Sequence, residues 1–242
     1  MALALMCFHQ RPGVVGRYPV TVRLKDIPKM ETLSDLNKLC DQDAFLELHS
    51  NSKRPVSNDW PNQGQSGATV LSRGTNIGLI LGNPSGLLNV DLDCHEAKLL
   101  VDIILPLPVA TFDRVTTNSG HYLYKATTTG PRKSFTSTGK STLVKLRGDG
   151  SQTMIPPSVH PNGIQLAFTA VNEKASLVAY DELLKAVNLL AACSEIAQNW
   201  HEGCRHELAL SFSGLARKHG LEPNLIVQIV QRICQIANDP EV

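Results

Sequence analysis

Between Asn76 and Asp93 apolar side chains alternate in two separate runs. Ile77, Leu79 and Leu81 alternate first; Leu88, Val90 and Leu92 alternate again after Pro84, Ser85 and Gly86. A period of two belongs to a β-strand, and Pro-Ser-Gly is turn chemistry, so the stretch predicts strand, tight turn, strand. Side chains alternate across a strand, which puts Asn89, Asp91 and Asp93 on the face opposite Leu88, Val90 and Leu92. Two carboxylates at i and i+2 then lie roughly 6.5–7 Å apart at Cα.

The same reading extends to the rest of the chain. Residues 1–33 are punctuated by Pro and Gly, with one candidate strand at Tyr18 to Leu24 and no assignable role. Ser34 to His49 has helical spacing behind a Ser34 N-cap. A polar loop carrying Lys53, Arg54, Pro55 and Trp60 follows, and Glu96 to Leu105 fits a helix after Asp93. Thr111 to Thr127 reads as two strands or one bent strand, broken at Gly120, with His121 and Leu123 opposite Tyr122 and Tyr124. Gly130 to Ser141 reads as a basic Ser/Thr/Gly loop holding Arg132, Lys133 and Lys140. Thr142 to Arg147 is a strand with Leu143, Lys145 and Arg147 on one face. Met154 to Gly163 is a Pro-fixed turn presenting Ser158 and His160, and Ile164 to Ala170 closes the sheet.

Beyond Tyr180 the period changes to that of helices, at Asp181 to Trp200, His206 to His219 and Pro223 to Ala237. Gly220 ends the second, and Pro223 suits the first turn of the third. The chain therefore divides into an N-terminal segment (1–33), an α+β unit (34–172) and a helical segment (175–242). Its last residues, Asp239 to Val242, suggest a piece of a longer chain.

At 242 residues, 42% hydrophobic and 19% charged, the chain has enough apolar material to bury a core and is not disordered. A net charge of +1 means that any nucleic acid would have to be held by a local groove. Six Cys without a CxxC pair read as reduced thiols, which suggests the cytoplasm. Cys193, Cys204 and His206 fit no usual zinc spacing. No apolar run reaches transmembrane length, so no membrane partner is expected.

The candidate chemistry centres on Asp91 and Asp93. The pattern also suits a polar strand exit or a helix cap. Its apolar flanks favour a hard divalent cation, since adjacent ionised carboxylates repel at the edge of a core. Relief of that repulsion predicts that removing either Asp raises the melting temperature without metal. His121 begins a strand after a Ser-Gly kink, where an imidazole meets a ligand. Lys145 and Arg147 on one sheet face suit an anion such as a triphosphate.

These pieces, in this order, resemble the bifunctional DNA primase/polymerase (prim-pol) family of the archaeo-eukaryotic primase superfamily. Lys53, Arg54 and Pro55 with Trp60 resemble an early Lys-x-Pro…Trp; Asn76 to Gly86, a Gly-rich hairpin. Asp91-Leu92-Asp93 resembles the first catalytic motif, and Ser119-Gly120-His121 the second. Leu146 to Gly150 with Ile155 to His160 resembles a third region. Coverage is roughly residues 50–170. Gly203, Arg205, His206, Glu207 and the helices after them resemble a segment that often joins such a domain to a helicase.

The resemblance implies an α+β fold with a mixed or antiparallel sheet, an RRM-like palm, followed by helices. It implies template-directed nucleotidyl transfer from NTP or dNTP on single-stranded DNA, in the replication of a plasmid, phage or mobile element, with a helicase domain or replisome as partner. Asp91 and Asp93 would hold two Mg²⁺ or Mn²⁺ ions about 3.5–4 Å apart, and His121 would bind the nucleotide. Ser119, Lys145, Arg147, Ser158 and His160 would contact its phosphates or sugar. Lys53, Lys133 and Lys140 would contact template. The superfamily usually has a third acidic ligand on a later strand; this strand carries Lys145, and Asp149 is the nearest acid. Two rival readings stand beside this one: a catalytically inactive nucleic-acid-binding module with a vestigial acidic pair, and a metal-dependent nuclease, which leaves Lys145, Arg147 and His121 unexplained.

Overall fold

The computed structural model describes residues 39–40, 43–114, 120–172 and 174–239. Among these, nine strands form two sheets: β1 (Phe45–Leu48), β2 (Asn76–Ile80), β3 (Leu87–Leu92), β4 (Ala110–Arg114), β5 (Gly120–Lys125), β6 (Lys133–Thr136), β7 (Thr142–Arg147), β8 (Gln152–Ile155) and β9 (Leu166–Val171). The smaller sheet has the order β1-β2-β8 and the larger β6-β7-β3-β5-β4-β9. Every strand pairing in them is antiparallel.

The period-two pattern explains the layering. Leu88, Val90 and Leu92 of β3 face α2 (His95–Ile104), α3 (Tyr180–Gln198) and α5 (Pro223–Ile236), in one apolar cluster with Leu100, Leu183, Val187, Leu190, Ile229 and Ile233. Leu87 of β3, Phe112 of β4 and Leu123 of β5 face the smaller sheet and its Phe45, Ile77, Leu79 and Ile155. The larger sheet is thus covered on both faces, and β3 is buried along its whole length. Each buried Leu or Val contributes about 1.5–3 kcal/mol relative to exposure. A short helix, α1 (Gly67–Leu71), is capped by the Ser66 hydroxyl, which accepts from the Thr69 amide. Helix α4 (Arg205–Lys218) packs on α5 and completes the helical end.

Several expectations change. Asn76 to Asp93 is strand, turn, strand, but not a paired hairpin: β2 belongs to the smaller sheet and β3 to the larger, linked only by a bridge between Gly82 and Leu87. Gly82 makes the crossing possible. Its φ is +85°, and a Cβ there would stand 2.0 Å from Asp149 Oδ1. Phe45–Leu48, expected in a helix from Ser34, is strand β1. Its backbone pairs with β2, and that pairing overrides the local helical spacing. Residues 34–38 of that helix, the Tyr18 strand and the rest of 1–33 lie outside the described residues. The basic loop Gly130–Ser141 contains edge strand β6. The turn at Met154 begins inside β8.

The three C-terminal helices fall where their period places them. Their packing crosses the boundary near residue 172, because α3 and α5 supply the apolar cover of β3, β5 and β7. Leu190→Ala, at a fully buried position, is therefore expected to cost about 2–5 kcal/mol. It should lower one shared transition for helix and sheet. Denaturation followed by far-ultraviolet circular dichroism and by hydrogen exchange of β3 amides would check this. A sheet that outlasts the helices would contradict it.

Candidate active site

Strand β3 lies between β5 and β7, and register decides which side chains meet on it. Asp91 is opposite His121 on one side and Lys145 on the other; Asn89 is opposite Leu123 and Arg147. Directly opposed residues share a face of the sheet. Asn89, Asp91, His121, Lys145 and Arg147 thus converge from three strands, and Asp93 follows one residue beyond β3.

Charge is matched within this group. Arg147 Nη2 donates to Asp91 Oδ2 at 2.5 Å, and Lys145 Nζ donates to Asp93 Oδ2 at 2.7 Å. The Asp91 side chain is 7% exposed, whereas those of Asp93, Lys145 and Arg147 are 29–30% exposed. Asp91 is therefore the anchored carboxylate, and the other three groups face an opening. Burial pushes the Asp91 carboxyl up, but His121, Arg147 and Lys145 outweigh it and hold it below the usual carboxylate value.

His121 is held from two sides. Its ring stacks on Phe112, with centroids 4.7 Å apart and planes 10° apart, and Phe112 in turn meets the edge of Phe168. Asn89 Nδ2 lies 3.2 Å from His121 Nδ1, which is also 3.5 Å from Asp91 Oδ1. Burial pushes the imidazole pKa down, and Arg147 and Lys53 add to this against the pull of Asp91 and Asp113. Lys53 belongs to the rim, where Gln152 Nε2 donates to its carbonyl at 2.8 Å.

Other candidates sit elsewhere. Asp149 is no companion of the Asp91 pair. The β3–β7 register puts it level with Leu87, four residues or about 13 Å along the strand from Asp91. Its Oδ1 accepts from the Asn83 amide at 3.0 Å, bracing the Gly82 crossing. Ser158 is 3% exposed and is consumed by β2: its hydroxyl accepts from the Ile77 amide at 2.8 Å and donates to the Ile77 carbonyl at 3.2 Å. It has no donor left for a phosphate. His160 organises its own turn, with Nδ1 2.8 Å from Asn162 Oδ1. Lys140 sits at the β6–β7 turn in a left-handed conformation, φ +66°. Ser119 lies outside the described residues. Among the described residues, Cys94, Cys193, Cys204 and Cys234 are free thiols.

Sequence reasoning put Asn89 on the right face but gave it no task, and it missed Gln152 and Phe112. It also treated Asp91 and Asp93 as mutually repelling, whereas each has a cationic partner here. Deleting Asp91 strands Arg147, so the melting temperature is now expected to fall rather than rise. As for a divalent cation, Asp91 and Asp93 are hard oxygen donors. Among the described residues no three His, Cys, Asp or Glu side chains form a group that could hold a metal ion. The donor set fits a cation that draws further ligands from a bound substrate.

The family described as bifunctional DNA primase/polymerase, N-terminal, matches residues 33–178, more than half of the chain. No curated protein matches it. No helix among the described residues is long and apolar enough to cross a membrane.

The two lowered pKa values fix an acid limb of stability. His121 is lowered from 6.5, so the unfolded state takes up the proton first and stability declines as pH falls through about 6.5. Asp91 is lowered from 3.8, so its contribution is complete above that value and is lost as pH falls further. His121→Gln is expected to flatten the decline between pH 7 and 5 while leaving the Asp91 limb. Urea unfolding at stepped pH would read it; an unchanged slope would contradict the buried neutral imidazole.

Proposed function

We propose, from the premise that the chain belongs to the bifunctional DNA primase/polymerase family, that it adds nucleotides to a strand paired with a single-stranded DNA template. The observation that carries this reading is the grouping of Asp91, Asp93, His121, Lys145 and Arg147 on one face of three adjacent strands. That group offers carboxylates for a cation and cations for a triphosphate within one patch. In the reaction a 3′-hydroxyl attacks the α-phosphorus of an NTP or dNTP, and pyrophosphate leaves.

Asp91 and Asp93 would hold the divalent cation, Mg²⁺ or Mn²⁺, with the rest of its ligands coming from the triphosphate. Bound there, it would act as a Lewis acid on the phosphoryl oxygens and lower the pKa of the attacking hydroxyl. Arg147 and Lys145 would turn from the carboxylates to the phosphates, so that substrate and cation exchange partners with the resident ion pairs. His121 would contact the phosphates or sugar of the nucleotide while Phe112 and Asn89 hold its ring. Template affinity would come mainly from phosphate contacts and would fall with salt. The biological setting in this reading is replication of a plasmid, phage or mobile element, beside a helicase or replisome.

A second reading draws on one observation. Lys145 stands directly opposite Asp91 and saturates Asp93, where the resemblance leads one to expect a third acid. In that reading the chain binds nucleotide and template without catalysis.

A synthesis assay separates the two. Labelled nucleotides, single-stranded DNA and Mg²⁺ or Mn²⁺ are incubated with and without an annealed primer. The polymerase reading expects product that falls at least ~10³-fold in Asp91→Ala or Asp93→Ala. Product without primer identifies initiation. No product with intact nucleotide binding favours the binding module.

A further inference from the structure

Edge strand β6 and the turn after it lie in a stretch of one sign. From Pro131 to Gly148 the chain has the cations Arg132, Lys133, Lys140, Lys145 and Arg147 and no carboxylate. Strand β6 pairs with β7 alone and is largely exposed, so its ends need another support. Helix α3 supplies it at both. Its first residue, Tyr180, donates from its hydroxyl to the Pro131 carbonyl at 2.5 Å. Near its other end, Glu195 Oε1 accepts from the Thr138 amide at 3.0 Å and from the Thr138 hydroxyl at 2.7 Å. Helix from Tyr180 to Glu195 spans about 22 Å, and extended chain from Pro131 to Thr138 about 23 Å. One helix thus brackets the edge strand.

Stability does not account for the tether at Glu195. Its Oε2 is buried and has no hydrogen-bond partner among the described residues, which is unfavourable. The turn that it holds is unfavourable too, because Lys140 has φ +66°, a conformation better suited to glycine. Such local conflicts gather at functional sites. The turn also borders the carboxylates. Just after it, the Leu143 carbonyl accepts from the Asp93 amide at 2.9 Å. Gln198, one helical turn beyond Glu195, donates to Glu96 at 3.0 Å. The end of α3 therefore supports both chain segments that meet at Asp93.

We propose that Glu195 is a positioning residue. By tethering Thr138 to helix α3 it holds the β6–β7 turn so that Lys140 meets a phosphate of single-stranded DNA beside Asp93. The carboxylate acts through the turn and touches neither strand nor nucleotide. The proposal rests on the nucleotide-polymerising reading for the identity of the strand.

The test is a double-variant cycle on the full chain, read by fluorescence anisotropy of a labelled oligothymidylate at stepped NaCl, with primer extension beside it. Charge alone would make loss of an acid tighten DNA binding; the tether predicts the reverse. Glu195→Ala should lower the slope of log Kd against log salt by about 0.7, the share of one phosphate contact, and raise Kd about fivefold at 0.1 M salt. Lys140→Gln should do the same, and the double variant should bind no more weakly than either alone. Glu195→Gln loses the charge but keeps the acceptor for Thr138, and should bind within about twofold of wild type. Thr138→Val loses one of the two hydrogen bonds; its Kd should lie between those of wild type and Glu195→Ala, and it carries the cycle if Glu195→Ala does not fold. Tighter or unchanged binding in Glu195→Ala, additive losses in the double variant, or no oligothymidylate binding by the wild type overturns the proposal. A non-additive cycle in a chain that makes no DNA upholds the tether and removes the polymerase reading. DNA synthesis with an additive cycle removes the tether and leaves that reading standing.

Discussion

The ion pair between Asp91 and Arg147 is the constraint on which the site depends. Asp91 sits mid-strand in the central part of a sheet covered on both faces. A carboxylate there stays ionised only if a cation reaches it, because burial of an unpaired charge is strongly unfavourable. Arg147 supplies that cation from the next strand at 2.5 Å, and its other amino group faces the Gln152 carbonyl at 3.5 Å. Gln152 in turn holds the Lys53 loop. One pair thus ties the floor of the site to its rim, and through β8 it ties the larger sheet to the smaller.

The same pairing shapes the chemistry. Asp91 with Arg147 and Asp93 with Lys145 make a site that is electrically balanced by its own side chains. A divalent cation alone would have to displace two ammonium or guanidinium partners, and a triphosphate alone would have to draw them off two carboxylates. In the proposed reaction the two arrive together, and each would satisfy the partner that the other releases. Lys145, which pairs with Asp93, would in the proposed reaction couple the two ligands.

Much of the floor was legible in the sequence because a period of two needs no tertiary information. The alternation at Leu88 to Asp93, at His121 to Tyr124 and at Leu143 to Arg147 assigns each side chain to a face without knowledge of the neighbouring strand. Which strands neighbour one another is a long-range fact. Nothing local says that Lys145 lies opposite Asp91, or that Asp149 falls four residues away from it. Ser158 and His160 follow a Pro-Pro pair that promises fixed geometry, but the direction of their hydroxyl and imidazole depends on β2 and on Asn162. Strand β6 is short, polar and at an edge, so its residues read as loop. Phe45 to Leu48 carries apolar residues at positions that suit a helix as well as a strand; pairing with Asn76 to Leu79 decides it. The helical segment was found by its own period, whereas its place in the core under β3 came only from packing.

The most direct test of this account is Mn²⁺ binding by electron paramagnetic resonance, on the wild-type chain, with and without saturating non-hydrolysable dATP analogue. Coupled release predicts that Mn²⁺ alone binds weakly and that the analogue tightens it at least ~10-fold beyond what the free Mn²⁺–nucleotide complex explains. Lys145→Met should raise the affinity for Mn²⁺ alone and shrink that gain. Tight Mn²⁺ binding that ignores both the nucleotide and Lys145 would contradict the idea that the carboxylates are held by their own cations.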